Sequence, residues 1–450
     1  MEELKEFREE FLSNQTNVAM MNVYSSNVIP DMDLNREEIN KLDHHMSNTI
    51  SVESKASNQK STGRCWLFAG LNTMRINAIK KYDLPKSFEF SQSYLFFWDK
   101  FERSKLFLNQ MYDFQNIPHS DRGLNHIVTD LLGDGGQWDM FTNLLDKYGT
   151  IPKTLYNESH NSSASRSMNG KLKTKLREYM FIIRREKESN QFNPNNKDDC
   201  INQMMKEVFH LLVTFMGVPP LPDDELTWKY SDKNDKVSSI NFTPLQFYSS
   251  EQHLNLNLSR DYVCVVNDPR KEHLIEKTYT VQHLGNVMGK CGSRYLNMNM
   301  DSLLTFTKLS INDDKPVWFG ANMGSDRSAE HCLMSTTVHQ PEKSLCMTFN
   351  SMTKEEKLVS WEAIMTHAMV FTGYDEENAG TLSRLRVENS WGDKGSQNGY
   401  YTMTKEWFNN YVFEVAIHKK FLTPELIKIY DESTPSQLPA WDQMGSLASY

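Results

Sequence analysis

Residues 59 to 68 read Gln-Lys-Ser-Thr-Gly-Arg-Cys-Trp-Leu-Phe, with a glutamine shortly before a cysteine that opens an apolar helical pattern. A thiol hydrolase needs such a pair. The side-chain amide donates to a developing oxyanion, and the sulfur sits at a helix N-terminus, where the positive end of the dipole favours thiolate over thiol. Gln59 and Cys65 are the candidates for those two roles. Far downstream, His367 leads into the β-branched and aromatic run Met369-Val370-Phe371-Thr372, so its imidazole is predicted to stand on a strand. Asn389 follows within Val387-Glu388-Asn389-Ser390-Trp391-Gly392, at a separation that two neighbouring strands and their connection close into contact. Its carboxamide oxygen can then accept the imidazole N–H and fix the tautomer, while Trp391 shields that bond from water and lines the cleft.

Each residue alone has an ordinary reading. A single buried cysteine is an inert small hydrophobe, one histidine among thirteen is a satisfied structural residue, and Asn-Ser-Trp-Gly is a turn. What points to nucleophilic catalysis is the ordered set, with a helix start and a strand where the chemistry needs them.

Positioning elements can be read around these residues. From Cys65 the apolar positions Leu67, Leu71, Met74 and Ala78 keep helical spacing, with Leu84-Pro85 ending the helix. Ser91 is placed to cap a second helix through Tyr94, Leu95, Trp98 and Phe101. Gly135-Gly136 fits either a plain turn or a place where a substrate backbone comes close. After about residue 240 the chain turns strand-rich, at 262–266, 277–281, 316–319 and 369–371. A helical half followed by a β half predicts an α+β fold of two lobes. The cleft lies between them, with Cys65 on the first and His367 and Asn389 on the second.

Beyond the segments already quoted, Phe90-Ser91-Gln92-Ser93-Tyr94-Leu95-Phe96-Phe97-Trp98, Asp134-Gly135-Gly136-Gln137-Trp138, Lys315-Pro316-Val317-Trp318-Phe319-Gly320 and Met365-Thr366-His367-Ala368-Met369 resemble the bleomycin hydrolase branch of the papain-like cysteine peptidases. The tail Leu438-Pro439-Ala440-Trp441-Asp442-Gln443-Met444-Gly445-Ser446-Leu447-Ala448 is similar to that family's C-terminal arm, with Gln443 where the family often carries proline and Ser446 where it often carries alanine. The resemblance spans nearly the whole chain. It implies a papain-like fold, a helical lobe plus a β-barrel-like lobe, with oligomerisation insertions and a C-terminal arm. It implies Cys65, His367 and Asn389 as the catalytic set, Gln59 at the oxyanion, and Gly135, Gly136, Trp391 and Ala448 at the substrate. It further implies an aminopeptidase with no cofactor and no metal, assembled as a homohexamer around an inner channel. Bleomycin-like amides and homocysteine thiolactone share its acyl chemistry. In the family the arm's terminal carboxylate receives the substrate's α-amino group. Here Ser449 and Tyr450 follow Ala448, so self-trimming of one or both is expected.

Composition suits a cytoplasmic enzyme. The chain has 450 residues and a net charge of −9, which argues against a mainly electrostatic nucleic-acid binder. Its first residues are charged, with none of the apolar stretch of a signal peptide, and no apolar run is long enough to cross a bilayer. Six cysteines are few for this length and form no Cys-x-x-Cys pairing, so they read as reduced thiols. Lys171, Lys173, Lys175, Arg177, Arg184, Arg185 and Lys187 read as a solvated helix face.

The expected organisation is an N-terminal segment at 1–50 and a helical lobe at 51–235, then a β-rich lobe at 236–430 and an arm at 431–450 entering the cleft. Within it, residues 1–5 and 35–39 read as helical, 17–29 as extended, and 191–199 as a loop. The expected activity is stepwise release of N-terminal residues through a thioester. The alternatives are a papain-like endopeptidase, a Cys-dependent acyltransferase and, more remotely, a non-catalytic binding or scaffold protein.

Overall fold

Asn14 begins the first departure from expectation. Its side chain accepts from the backbone N–H groups of Thr16 and Asn17, and with that cap the segment Gln15–Tyr24 forms a helix where an extended run was expected. The structure, a computed structural model, describes residues 1–188, 197–290, 292–324, 326–349, 351–377, 381–395 and 397–449. Residues 191–196 of the expected loop lie outside them, and the loop is over by Lys197, where the helix Lys197–Met216 starts. Cys291 and Tyr450 also lie outside.

Helices fill the first half. The central one, Cys65–Tyr82, is buried on nearly every side. It stops before Pro85: Asp83 turns left-handed at φ 51°, and Leu84 N–H donates to the Ile79 carbonyl at 3.0 Å. Ser91 caps the following helix, Gln92–Asp113, by accepting from Tyr94 N–H. Trp138–Tyr148 packs against both, and the long pair Arg166–Glu188 and Lys197–Met216 covers Gln92–Asp113 from outside. On that outer pair, Lys175 meets Glu207 at 3.0 Å and Arg184 donates to the Ile117 carbonyl at 2.9 Å, so these cations have partners within the fold. The side chain of Lys187 lies outside the described residues.

The second half supplies eleven strands of a twelve-stranded sheet among the described residues, and Asn48–Thr49 adds the twelfth. At its centre Val412–His418, Val317–Ala321, His367–Glu377 and Thr381–Glu388 run antiparallel in that order. The two inner members carry the apolar runs Val317-Trp318-Phe319 and Ala368-Met369-Val370-Phe371 and are buried over most of their length, with the central helix and the helix Met300–Asn312 both packed on them. At one edge Ser436–Leu438 pairs in parallel with Lys277–Val281, and this strand carries the chain back toward the helices. No described helix is long and apolar enough to cross a membrane. The described cysteines, Cys65, Cys200, Cys264, Cys332 and Cys346, are all unpaired.

Candidate active site

Cys65 is the first residue of the central helix, and its N-cap, Arg64, offers no side-chain oxygen to the helix N-terminus. Arg64 points inward instead. It lies between Phe68 and Phe96 and reaches Glu158 Oε1 at 3.0 Å and Thr62 Oγ1 at 3.0 Å. The first N–H groups of the helix are therefore left for whatever stands at the sulfur, and the backbone N–H groups of Ala368, Trp66 and Cys65 all favour its anionic form. Burial outweighs them and pushes the thiol up to about 11.

His367 opens its strand opposite Ala321, and Asn389 stands just past the end of the neighbouring strand. Antiparallel pairing of Val370 with Glu388 brings them together, and His367 Nε2 meets Asn389 Oδ1 at 2.8 Å. Nδ1 is the imidazole nitrogen left for the sulfur. Trp391 covers the pair, its ring 4.9 Å from the imidazole, and the Arg327 guanidinium lies 5.1 Å from that indole. Burial lowers the imidazole to about 4, the Asn389 bond raises it, and the Arg327 charge lowers it. Burial, which cuts both groups off from water, opposes the expected thiolate–imidazolium pair, while the backbone N–H groups at the sulfur and Asn389 at the ring favour it.

Gln59 belongs to the same cluster. Its Oε1 accepts from Ser390 Oγ at 2.6 Å and its backbone N–H donates to the Ser390 carbonyl at 2.8 Å, which ties it to the loop after Asn389. One amide hydrogen goes to the Thr62 carbonyl at 2.6 Å. The other remains for an oxyanion.

Gly135 and Gly136 are buried. A Cβ on Gly136 would lie 2.5 Å from the Trp66 indole, and Trp66 Nε1 donates to the Asp134 carbonyl at 2.7 Å, so this segment packs directly behind Cys65. The Gly135 carbonyl accepts from Arg103. The other side of the segment faces the C-terminal arm. Gln137 Nε2 reaches the Met444 carbonyl at 3.5 Å, and a Cβ on Gly133 would lie 2.8 Å from the Ala448 carbonyl oxygen.

The arm ends in a short turn, Gln443–Ala448, in which Met444 to Ala448 are all buried. Ser446 Oγ donates to the Met365 carbonyl at 2.9 Å, two residues before His367, and Leu447 packs where a side chain on Gly320 would stand. Gly320 opposes Ala368 in register, which brings Leu447 to the strand position whose N–H faces the sulfur. Beside the arm lies a cavity of about 450 Å³, walled by Phe107, Ile127, Trp441, Ser446, Ala448 and Ser449.

Two features were missed from sequence. Ser390 holds Gln59, and a buried ion pair between Arg75 and Glu388 ties the central helix to the strand that presents Asn389, with Asn72 Nδ2 adding a bond to Glu388 Oε1 at 3.0 Å. Asn72 and Arg75, one turn apart among apolar residues, and Glu388 beside Asn389 were the available signals. No group of three or more His, Cys, Asp or Glu among the described residues could hold a metal ion. A thiol at a helix start, an imidazole held by an amide and a free amide donor together form a set suited to acyl transfer.

Comparison with known proteins agrees with this arrangement. The sequence model of the Peptidase C1-like family matches residues 1–445. The chain is 38% identical over 437 residues to the bleomycin hydrolase of Mus musculus, covering 96% of this chain and 94% of that protein. It is 37% identical over 404 residues to aminopeptidase C of Streptococcus thermophilus, covering 88% of this chain and 87% of the other. The crystal structure of PepW from Lactobacillus rhamnosis superposes with a TM-score of 0.92 at 32% identity, covering 98% of this chain and 97% of that one.

Proposed function

From the premise that the chain belongs to the Peptidase C1-like family and is a cysteine peptidase, we propose that it is an aminopeptidase that releases N-terminal residues from peptides through a thioester on Cys65. His367 Nδ1 takes the thiol proton as sulfur attacks the scissile carbonyl. The second amide hydrogen of Gln59 and the Cys65 N–H hold the oxyanion. The imidazolium then gives its proton to the departing amine as the C–N bond breaks. Water, deprotonated by the neutral ring, attacks the thioester, and the released thiolate recovers that proton. Asn389 keeps Nε2–H in place throughout, and Gly135 and Gly136 shape the wall along which the substrate backbone lies.

The observation that carries the exopeptidase reading is the arm, buried through Ala448 against Gly133 and beside the strand of His367. An occupied cleft leaves room for little more than the substrate's first residue. Self-trimming of Ser449 and Tyr450 would leave a carboxylate on Ala448 to receive the α-ammonium group. The same acyl chemistry extends to bleomycin-like amides and to homocysteine thiolactone. We read the chain as an N-terminal segment, two lobes and an arm, divided near residues 50, 235 and 430, acting in the cytoplasm as a homohexamer. Exposed Leu4, Phe7, Phe11 and Leu12 on the helix Glu2–Ser13, which buries no residue within its own chain, support self-association.

Mass spectrometry of the products from one unstructured peptide, supplied with a free and with an acetylated N-terminus, tests the reading. Stepwise loss from the free form alone is expected. Internal cleavage of both forms would make the enzyme a papain-like endopeptidase.

A further inference from the structure

The arm is held in place from one side by a buried arginine. Arg270 Nη1 and Nη2 grip the two carboxylate oxygens of Asp442 at 2.9 and 2.8 Å, in the two-pronged geometry that only a guanidinium offers a carboxylate. The arginine is itself fixed from behind. Asp268 accepts from Nε at 2.9 Å and from Nη2 at 2.6 Å, and His273 Nδ1 meets the same carboxylate at 2.5 Å. Arg270, Asp268 and Asp442 are all buried.

Asp442 has a second duty. Its Oδ1 accepts from Met444 N–H at 2.9 Å and so starts the turn Gln443–Ala448 that carries the end of the arm. Gln443, where a proline is common in the resembling family, adds its Oε1 to Arg270 Nη1 at 3.2 Å. On the neighbouring residue the Arg122 guanidinium lies 4.0 Å over the Trp441 ring. The grip, the cap and Ala448 thus form one short rigid unit.

We propose that Arg270 is a specificity-determining residue of this site: by gripping Asp442 it sets the depth at which the end of the arm stands in the cleft, and so decides that peptides are read from their amino terminus. The proposal rests on the aminopeptidase reading above. Arg270 keeps Asp268 whatever the arm does, but at any other buried depth Asp442 would lack a counter-charge, which is strongly disfavoured, so the grip selects one register. Arg270 acts through the arm and is a positioning residue.

Asp442→Asn tests it, because the carboxamide oxygen can still cap Met444 while the charge is gone. The probe is the same peptide with free and acetylated N-termini, with internal cleavage of the acetylated form as readout. The variant is expected to cut that form on the order of a hundredfold faster than the parent. Arg270→Leu should do the same and Arg270→Lys, which keeps the charge without the fork, should fall between. Loss of fold would lower every rate, so a gained internal cleavage has no such explanation. If Asp442→Asn leaves the acetylated peptide intact while a chain ending at Leu438 cuts it, the grip is refuted and the blocking arm stands. Failure of the shortened chain as well would remove the arm as a barrier, and both proposals with it.

Discussion

Asn389→Ala should slow peptide hydrolysis by about 5- to 30-fold, a modest loss for a residue in a catalytic set. The magnitude follows from what Asn389 Oδ1 does. It accepts from His367 Nε2 at 2.8 Å and from Ser390 N–H at 2.7 Å, in a site closed to water. Alanine leaves both donors unpartnered, which costs the fold about 1–3 kcal/mol for each. The reaction feels less. Only the difference between a bond to the charged ring and a bond to the neutral ring changes along it, about 1–2 kcal/mol, and 1.4 kcal/mol is a factor of ten. Trp391, 4.9 Å away, and the strand that carries His367 still hold the ring. The same bond raises the basicity of the imidazole, so removing it moves the folded value further below its present value of about 4. With the folded value below the ordinary 6.5, the stability tied to this group is present above pH 6.5 and lost as pH falls through about 4. The variant should therefore lose stability on acidification more steeply than the parent. The assay is kcat/KM on a free-amino peptide, paired with thermal unfolding between pH 4 and 7. A kcat/KM within twofold of the parent would refute the orienting role, and a loss beyond ten-thousandfold would refute the claim that Trp391 and the strand keep the ring in place.

Three further outcomes are expected. Gly136→Ala puts a methyl 2.5 Å from the Trp66 indole, so it should destabilise by about 1–3 kcal/mol and disturb the start of the central helix, read as a lowered Tm together with lost activity. Glu414 is fully buried with the Cys264 thiol as its hydrogen-bonding neighbour, and burial pushes it up to about 8. Its contribution is present below pH 4.5 and lost as pH rises through about 8, worth about 5 kcal/mol, so Glu414→Gln should flatten the fall in stability over that range; parallel Tm profiles would contradict this. In the resting parent at pH 6, iodoacetamide should label exposed Cys346 before buried Cys65, with intact and peptide mass as the readout, and the reverse order would mean that the thiolate already exists at rest.

How much could be read from the sequence follows from how local each feature is. Gln59, Cys65, His367 and Asn389 were legible because the chemistry dictates their types, and the helix and strands that carry them announce themselves by periodicity. The helix Gln15–Tyr24 was not, since its Asn- and Val-containing stretch has weak helical preference and one side chain, Asn14, decides its start. Gly136 was read as a turn or a place where a substrate backbone comes close; that its missing Cβ also makes room for Trp66 was not legible, because a sequence cannot say what packs beside a glycine. The Arg270–Asp442 grip joins positions 172 residues apart and was equally hidden.

The ionisation state of the site is a contest between burial and the donors that surround the two groups. Burial raises the thiol and lowers the imidazole, and so opposes moving the proton from sulfur to ring. Attraction between the two opposite charges works the other way, and is stronger in a closed site than in water. Three backbone N–H groups favour the sulfur anion and Asn389 favours the ring cation, so donors are already in place for both charges. The balance must be tipped by something that enters or leaves. A substrate carries water, a polarised carbonyl and an ammonium group into the cleft, and displacement of Leu447 and Ala448 would open the same space. The arm that we propose decides which peptides fit thus lies beside the strand of the very groups whose proton balance a bound substrate would change.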